Sequence, residues 1–434
     1  MKTGVMLLCG LALLGMAAGP AGAGGIINKS NWSTDYIRTL NRFAATDEAD
    51  IAVFNPAGIM TMTNGTYAKL DILYFGKDYS NTVPGFGELS QDTPSLIPSL
   101  FVIHKQDRLA GFFAFTVPAG GGKLEYDDGS ARTVALGQGV AAAANAALGG
   151  AGVPSDYFYN QISDMTLDIN ASTVYGFTFG GSVALTDRVS ASLGARFAKG
   201  KREFEGGATI SASQPAPSPP FPAGVNDPLT PELHLEEDAS GWAGILGLNF
   251  AVTEDLNVAA TYITNTSMDY EIDVLRDTMG IAPALGYADG SEHAIDIPGQ
   301  IGLGVAYRFT PSLTVHANHL IYMEKDADIN TFDDYGNSTD TGLAVEYAFN
   351  PRWKASVGYL RTNIELDDDQ QLNEPEEPKL DANTVGAGFV FSPTPVWDIS
   401  VAGLIATYDD VTDSRGITYE KSVWNLSVGA QRRF

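Results

Sequence analysis

Six short polar turns, each set between two runs of alternating residues, constrain this chain more than any other feature. They are Gln106-Asp107-Arg108, Thr186-Asp187-Arg188, Thr253-Glu254-Asp255, Thr310-Pro311-Ser312, Asn350-Pro351-Arg352 and Ser392-Pro393-Thr394-Pro395. Pro and Asp stand where tight turns need a preset φ or a side-chain acceptor. The flanking runs alternate with period two. In "QIGLGVAYRF" one face carries Ile301, Leu303, Val305, Tyr307 and Phe309, and the other Gln300, Gly302, Gly304, Ala306 and Arg308. "RVSASLGARF", "TGLAVEYAF" and "SVWNLSVGAQRRF" repeat the pattern. Such runs are strands with two unlike faces. Between the units lie long polar loops, so short and long connections alternate along the chain.

Two-faced strands occur in soluble sandwiches as well. Three features separate this chain from them. Its polar face is rich in Gly and Ser. Aromatics gather at run ends, as in Tyr307/Phe309, Tyr347/Phe349, Trp353, Phe389/Phe391 and Trp397. The loops are short at one end and long at the other. Together these describe an all-β, antiparallel transmembrane barrel with aromatic girdles. The pattern predicts about fourteen strands: 66–75, 95–105, 109–118, 167–185, 189–205, 241–252, 256–271, 299–309, 313–323, 340–349, 353–365, 382–391, 396–408 and 421–434. An even number puts both barrel ends on the short-turn side. A closed barrel also leaves no backbone edge facing lipid.

The N-terminus fits export to the outer membrane of a Gram-negative bacterium. Residues 1–23 carry Lys2, an apolar stretch from Val5 to Leu14, and Ala21-Gly22-Ala23, the three parts of a secretory signal. The single cysteine, Cys9, falls inside it. The segment 134–153 is uncharged but too rich in Ala and Gly for a spanning helix, and reads as an Ala-rich helix in a loop. With 52 acidic against 26 basic residues, the chain lacks the basic face that nucleic acid requires. No nucleophile elbow or metal-protease pattern occurs, so no enzyme, cofactor or metal is expected. The acidic stretch 326–337 starts like a calcium loop, but lacks Gly at its sixth position and Glu at its twelfth.

Residues 24–65 precede the first strand and hold "ADIAVFNPAGIM". Ile51, Val53 and Phe54 suggest an extended apolar segment. Asn55-Pro56 ends it and Gly58 frees the backbone again. Further on, "GFFAFTVPAGGGKLEYDDG" takes the third strand into Pro118, Gly120, Gly121 and Gly122, residues that break a ladder.

These two stretches, the strand count and the terminal Phe434 resemble the FadL/TodX/OmpP1 type of outer-membrane transporter for long-chain fatty acids and other hydrophobic compounds. Arg432 departs from the apolar residue usual near such a C-terminus. The resemblance implies a small N-terminal hatch (24–65) inside a barrel (66–434), with Phe54, Asn55, Pro56, Ala57 and Gly58 as its motif. It also implies outer capture of a hydrophobic ligand, and exit into the membrane through the wall at the kinked third strand. Burial favours such a route at about 0.8 kcal/mol per CH₂. Arg196 and Arg308, on the inferred inner face, are candidates for a head group. The implied partners are fatty acids or other hydrophobic small molecules, outer-membrane lipids and lipopolysaccharide, and the barrel assembly machinery, with the chain a monomer. A general diffusion porin and a surface adhesin or receptor are the alternative functions.

Overall fold

In the computed structural model, which describes residues 32–120, 122–329 and 335–434, the short turns become hairpins. Three of them share one device. Thr186, Thr253 and Thr310 each use the side-chain oxygen to accept backbone N–H bonds two and three residues on, at 2.9–3.3 Å. A hydroxyl that copies a backbone acceptor fixes the turn without a longer loop.

Fourteen strands follow: β1 (Gly65–Val83), β2 (Ser95–Gln106), β3 (Leu109–Ala119), β4 (Tyr159–Ala184), β5 (Val189–Ala212), β6 (Glu232–Ala251), β7 (Leu256–Ile263), β8 (Gly299–Thr310), β9 (Leu313–Met323), β10 (Thr339–Asn350), β11 (Trp353–Asn363), β12 (Ala382–Thr394), β13 (Trp397–Tyr408) and β14 (Thr418–Arg433). Each pairs antiparallel with the next, and β14 returns to β1 from Tyr67↔Arg433 to Thr82↔Thr418. The sheet is a closed barrel.

The alternation has the expected sense. Leu343 is 54% exposed and its neighbour Ala344 only 1%. Large apolar side chains point outward on nearly every strand, among them Leu70, Phe113, Leu246, Leu303, Val401 and Leu426. An outward surface of this kind needs an apolar solvent, and so faces lipid. Aromatics bound the belt near the short turns (Tyr307, Phe309, Tyr347, Phe349, Trp353, Phe389) and at its other margin (Tyr74, Tyr175, Trp242, Tyr262, Tyr359, Trp424). Arg432 lays its guanidinium over the rings of Phe434 and Trp397, at 4.5 and 5.5 Å, which keeps its charge out of the belt.

Several strands outrun their expected ends. β4, β5 and β6 reach residues 159, 212 and 232, and β1 runs on to residue 83. Their outer halves carry Glu203, Glu205, Glu236 and Asp238, of which Glu236 and Asp238 fall outside the expected strands. Beyond the lipid, water accepts those charges and the ladder continues. β7 is interrupted after Ile263 and its line resumes at Asp269–Asp277. The signal-like residues 1–23 lie outside the described residues.

Candidate functional site

The lumen is filled by residues 32–64. Helix α1 (Thr34–Thr39) starts at Ser33, whose side chain caps the Tyr36 N–H. The expected extended segment is instead a helical turn, α2 (Ile51–Phe54), followed by a 3₁₀ helix at Pro56–Thr61. The run has no strand beside it to complete a ladder. All its side chains are buried because hatch and wall surround it, so its apolar spacing carries no period. Phe54 sits among Trp32, Tyr36 and Phe43, with ring centroids at 5.2, 5.4 and 6.0 Å. Proline then takes the first position of the 3₁₀ helix, where its missing N–H costs nothing.

The Phe54–Ala57 stretch is bonded to four successive strands. Ser182 of β4 donates to the Pro56 carbonyl and Ser190 of β5 to the Ala57 carbonyl, both at 2.7 Å. Asn55 donates to the Leu248 carbonyl of β6 at 2.9 Å. Thr261 of β7 donates to the Phe54 carbonyl at 2.8 Å. Phe112 and Ala114 of β3 share the same apolar cluster. The opposite wall holds the hatch by charge. Asp35 meets Lys69 of β1 at 2.5 Å and Arg38 at 2.6 Å, and Arg38 also pairs with Glu346 of β10. Asp47 meets Lys354 of β11 at 2.7 Å and Arg42 at 2.8 Å. Gly358 and Gly386 lie against the Thr39 and Ile37 carbonyls, where a Cβ would come within 2.1 Å. The Gly-rich inner face therefore marks where the hatch touches the wall.

Of the cavities outside the hatch, two adjoin residues 374–380. The outer one, of about 100 Å³, lies beneath helix α3 (Ala131–Gly150), the Ala-rich segment expected in the loop after the third strand. Ser130 and Thr133 form a capping box at its start. Asn145 anchors its far end through paired bonds to the Tyr159 backbone, at 2.8 and 2.7 Å. Leu136, Val140, Phe204, Leu235, Ile281 and Leu285 give the cavity an almost wholly apolar lining.

The inner cavity, of about 130 Å³, rests on Tyr36 and Leu40 of the hatch, between Tyr322, Leu360, Leu404 and Val423. Lys77, Lys379 and Lys421 reach it, as does Glu324, whose carboxyl burial pushes up to about 7. Residues 374–380 separate the two cavities: Glu376 lines the outer one, and Pro378, Lys379 and Leu380 the inner one. In the sequence this acidic stretch belongs to one of the long polar loops. In the structure Glu374, Glu376 and Glu377 are buried, with Glu376 on Arg132 at 2.9 Å and Glu374 on Lys379 at 2.8 Å. One cationic partner, Arg132, is distant in sequence and the other, Lys379, is a near neighbour, and only the fold reveals either pairing.

At the third strand the wall is interrupted. The β2–β3 ladder runs from Gln106↔Leu109 to Leu100↔Phe115, and Ser95–Ser99 have no partner on β3. The β3–β4 register shifts between Thr116 and Ala119, at Pro118. Gly120 and Gly122 then adopt φ of +94° and +79°. A Cβ on Gly120 would come within 2.3 Å of the Ser172 carbonyl, so only glycine fits there. Gly121 lies outside the described residues. Lys77 spans the interval, donating to Ser95 Oγ at 2.8 Å and to the Lys123 carbonyl at 2.9 Å. Lys77, Ser95, Ile97 and Val117 all line the inner cavity, which therefore reaches the seam.

The two candidate arginines part company. Arg196 is buried beside Gly176 and Pro118, with one long hydrogen bond to Thr266 Oγ1 at 3.3 Å, and among the described residues no carboxylate pairs with it. Arg308 is not inside the lumen. It stands at the short-turn mouth, pairs with Asp255 at 2.8 Å, and its side chain is 47% exposed. Its height along β8 puts it at the rim. Part of the acidic stretch 326–337 lies outside the described residues.

These features define a class: a closed fourteen-stranded barrel with a folded plug, an apolar outer pocket, and a break in one wall. Solved structures share that fold. A FadL homologue from Pseudomonas aeruginosa is 15% identical, with 95% of this chain and all of that one aligned at a TM-score of 0.65. The toluene transporter TodX of P. putida is 16% identical over 89% of this chain and 94% of its own, with a TM-score of 0.61. The toluene transporter TbuX of Ralstonia pickettii is 15% identical over 90% and 94%, with a TM-score of 0.57. The chain thus has the fold of the FadL-type channels. No family model matches its sequence. No curated protein sequence matches it.

Proposed function

We propose that this chain is an outer-membrane channel of the FadL type, which takes up hydrophobic molecules passively. The observation that carries the reading is the series of two cavities above a plugged lumen, the inner one reaching the β2–β3 seam. A ligand caught under α3 passes the 374–380 partition, rests above the hatch and leaves sideways through the seam. At each station its apolar body stays out of water, so the gain of about 0.8 kcal/mol per CH₂ is kept. Long-chain fatty acids are within the proposed range, with Arg196 the inner cation for their head group; Arg308 has no part in it. The names of the structural neighbours, two toluene transporters and a FadL homologue, accord with hydrophobic cargo.

In this reading residues 1–23 are removed on export, and residues 24–65 remain as the hatch. Phe434 is read by the barrel assembly machinery, the outer strand ends meet lipopolysaccharide, and the chain works as a monomer.

The test is capture. Leu136→Asp puts a charge into the outer pocket and leaves the barrel alone. Uptake of labelled alkylbenzene and of oleate by cells should then need about tenfold more ligand for half-maximal rate, with the maximal rate kept. Unchanged uptake would overturn capture at this pocket. A large, steady conductance from the purified wild type would overturn the plugged channel and favour a diffusion porin.

A further inference from the structure

Behind the outer pocket lies a group of buried polar side chains that the uptake reading leaves unused. Arg202 of β5, Glu237 of β6, and Tyr270 and His293 of the loop region beyond β7 are all more than nine-tenths buried. Arg202 Nη1 is 3.0 Å from Glu237 Oε2, and His293 Nε2 is 3.6 Å from Glu237 Oε1. Among the described residues, the Tyr270 hydroxyl, both His293 ring nitrogens and both Glu237 oxygens have no hydrogen-bond partner of good geometry. Buried groups of this kind are rare, because each has given up its bonds to water without regaining one in the fold.

The group is joined to the pocket wall. The Arg202 guanidinium lies over the rings of Phe204 and Tyr270, at 5.0 and 5.4 Å. His293 packs edge-on to Tyr287 at 6.4 Å. Phe204 and Tyr287 both line the outer pocket. The four side chains do not line the cavity themselves but stand directly behind the Phe204 and Tyr287 rings, so a ligand lying along that apolar wall is one ring away from unsatisfied donors and an unsatisfied acceptor.

We propose that Arg202, Glu237, Tyr270 and His293 form a polar subsite of the outer pocket, which takes an uncharged hydrogen-bonding group on an otherwise apolar ligand. The charge balance selects for neutrality. Arg202 already faces Glu237 at 3.0 Å, Arg132 faces Glu376 at 2.9 Å and Lys379 faces Glu374 at 2.8 Å. A carboxylate would add a buried charge without a free cation to match it. A hydroxyl instead accepts from Arg202 or Tyr270 and donates to Glu237. A fatty acid satisfies the subsite as the undissociated acid. A pure hydrocarbon leaves the polar groups unpaired, and sites built to hydrogen-bond a ligand discriminate strongly against the analogue without that group. The subsite rests on the uptake reading for the apolar body of its ligand.

Equilibrium dialysis of the purified full chain, against detergent-only controls, tests this with propylbenzene, 4-propylphenol and 4-propylbenzoate. The phenol should bind about tenfold tighter than the hydrocarbon, the ratio that one net hydrogen bond supplies. The benzoate should bind more weakly than the phenol. Replacing Arg202→Met and Glu237→Leu together removes the pair without orphaning a charge, and should make phenol and hydrocarbon equal. Tyr270→Phe deletes one hydroxyl and should weaken the phenol alone, by about threefold. Heat-modifiable migration on gels verifies that each variant is folded. Equal wild-type affinities, a benzoate that matches the phenol, or a preference that survives the double change would each overturn the subsite and leave the channel reading intact. If neither phenol nor hydrocarbon binds the wild type, both fall.

Discussion

Two seams flank the first hairpin, and they behave in opposite ways. β1 and β14 pair without interruption from Tyr67↔Arg433 to Thr82↔Thr418, although they come from the two ends of the chain. β2 and β3 are joined by a turn of two residues, yet their ladder stops at Leu100↔Phe115. Proximity in sequence therefore does not decide where the wall is strong; local chemistry does. The β1–β14 seam carries no proline. The β2–β3 seam carries Pro98 and Pro118, each of which removes a donor, and glycines whose positive φ turns the strand aside. The hatch follows the same division. Its ion pairs go to β1, β10 and β11, and the wall from β3 to β7 meets it through neutral bonds and apolar contact.

The largest expected effect comes from closing the weak seam. A Cβ placed on Gly122 would lie 3.4 Å from the Ser95 Cβ, close to the spacing of about 3.5–4.5 Å that a disulfide needs. The Ser95→Cys/Gly122→Cys variant, oxidised, should lose at least tenfold in uptake of labelled alkylbenzene and regain it in reductant. The only native cysteine, Cys9, lies within the expected signal, so no other thiol competes. Equal uptake in both redox states would remove this seam from the route.

The sequence made the seam legible, since Pro118 and its glycines end a period-two run with residues that break a ladder. It also made the barrel legible, because lipid outside and a packed lumen inside impose opposite demands on alternate residues. Asn55 to Gly58 could be placed in the hatch, but the conformation of Ile51–Phe54 could not, since a segment buried on all sides shows no period. Nor could the sequence reveal the burial of Glu374 and Glu376, whose partners are a neighbouring lysine and a distant arginine. Arg308 marks the same limit: alternation gives the face of a strand and not the height along it.

A smaller effect should come from loosening the strong side. Arg38 is fully buried and bridges Asp35 to Glu346. Arg38→Met leaves both carboxylates short of a cation, a change that typically costs about 3–5 kcal/mol. Lys69 still holds Asp35, and Lys354 still holds Glu346, at 2.5 and 3.3 Å. The loss should therefore appear as reduced hydrogen-exchange protection across residues 34–54 and as leak of small polar solutes, with the barrel still heat-modifiable on gels. If hatch protection is unchanged, the ion pairs do not hold it.

The smallest effect is graded by pH and tests whether that strong side is tuned as well as tight. Glu48 is buried in the hatch, and burial, reinforced by Asp35 and Asp47, holds its carboxyl well above the usual range. Asp35 and Asp47 move the other way: burial would raise them, but Lys69 and Arg38 outweigh it for the first, and Arg42 and Lys354 for the second. Both stay ionised as pH rises from about 5, so they add no slope there. For Glu48 the docked state binds a proton that the released state has lost above about pH 4.5. Its contribution is complete below that value and declines as pH rises through the raised folded pKa, by at most about 1.4 kcal/mol per pH unit. Exchange protection of the hatch, corrected for intrinsic rates, should therefore fall between pH 5 and 8 in the wild type. Glu48→Gln should reduce the slope, and a wild-type slope that persists in full in this variant would place the titrating group elsewhere.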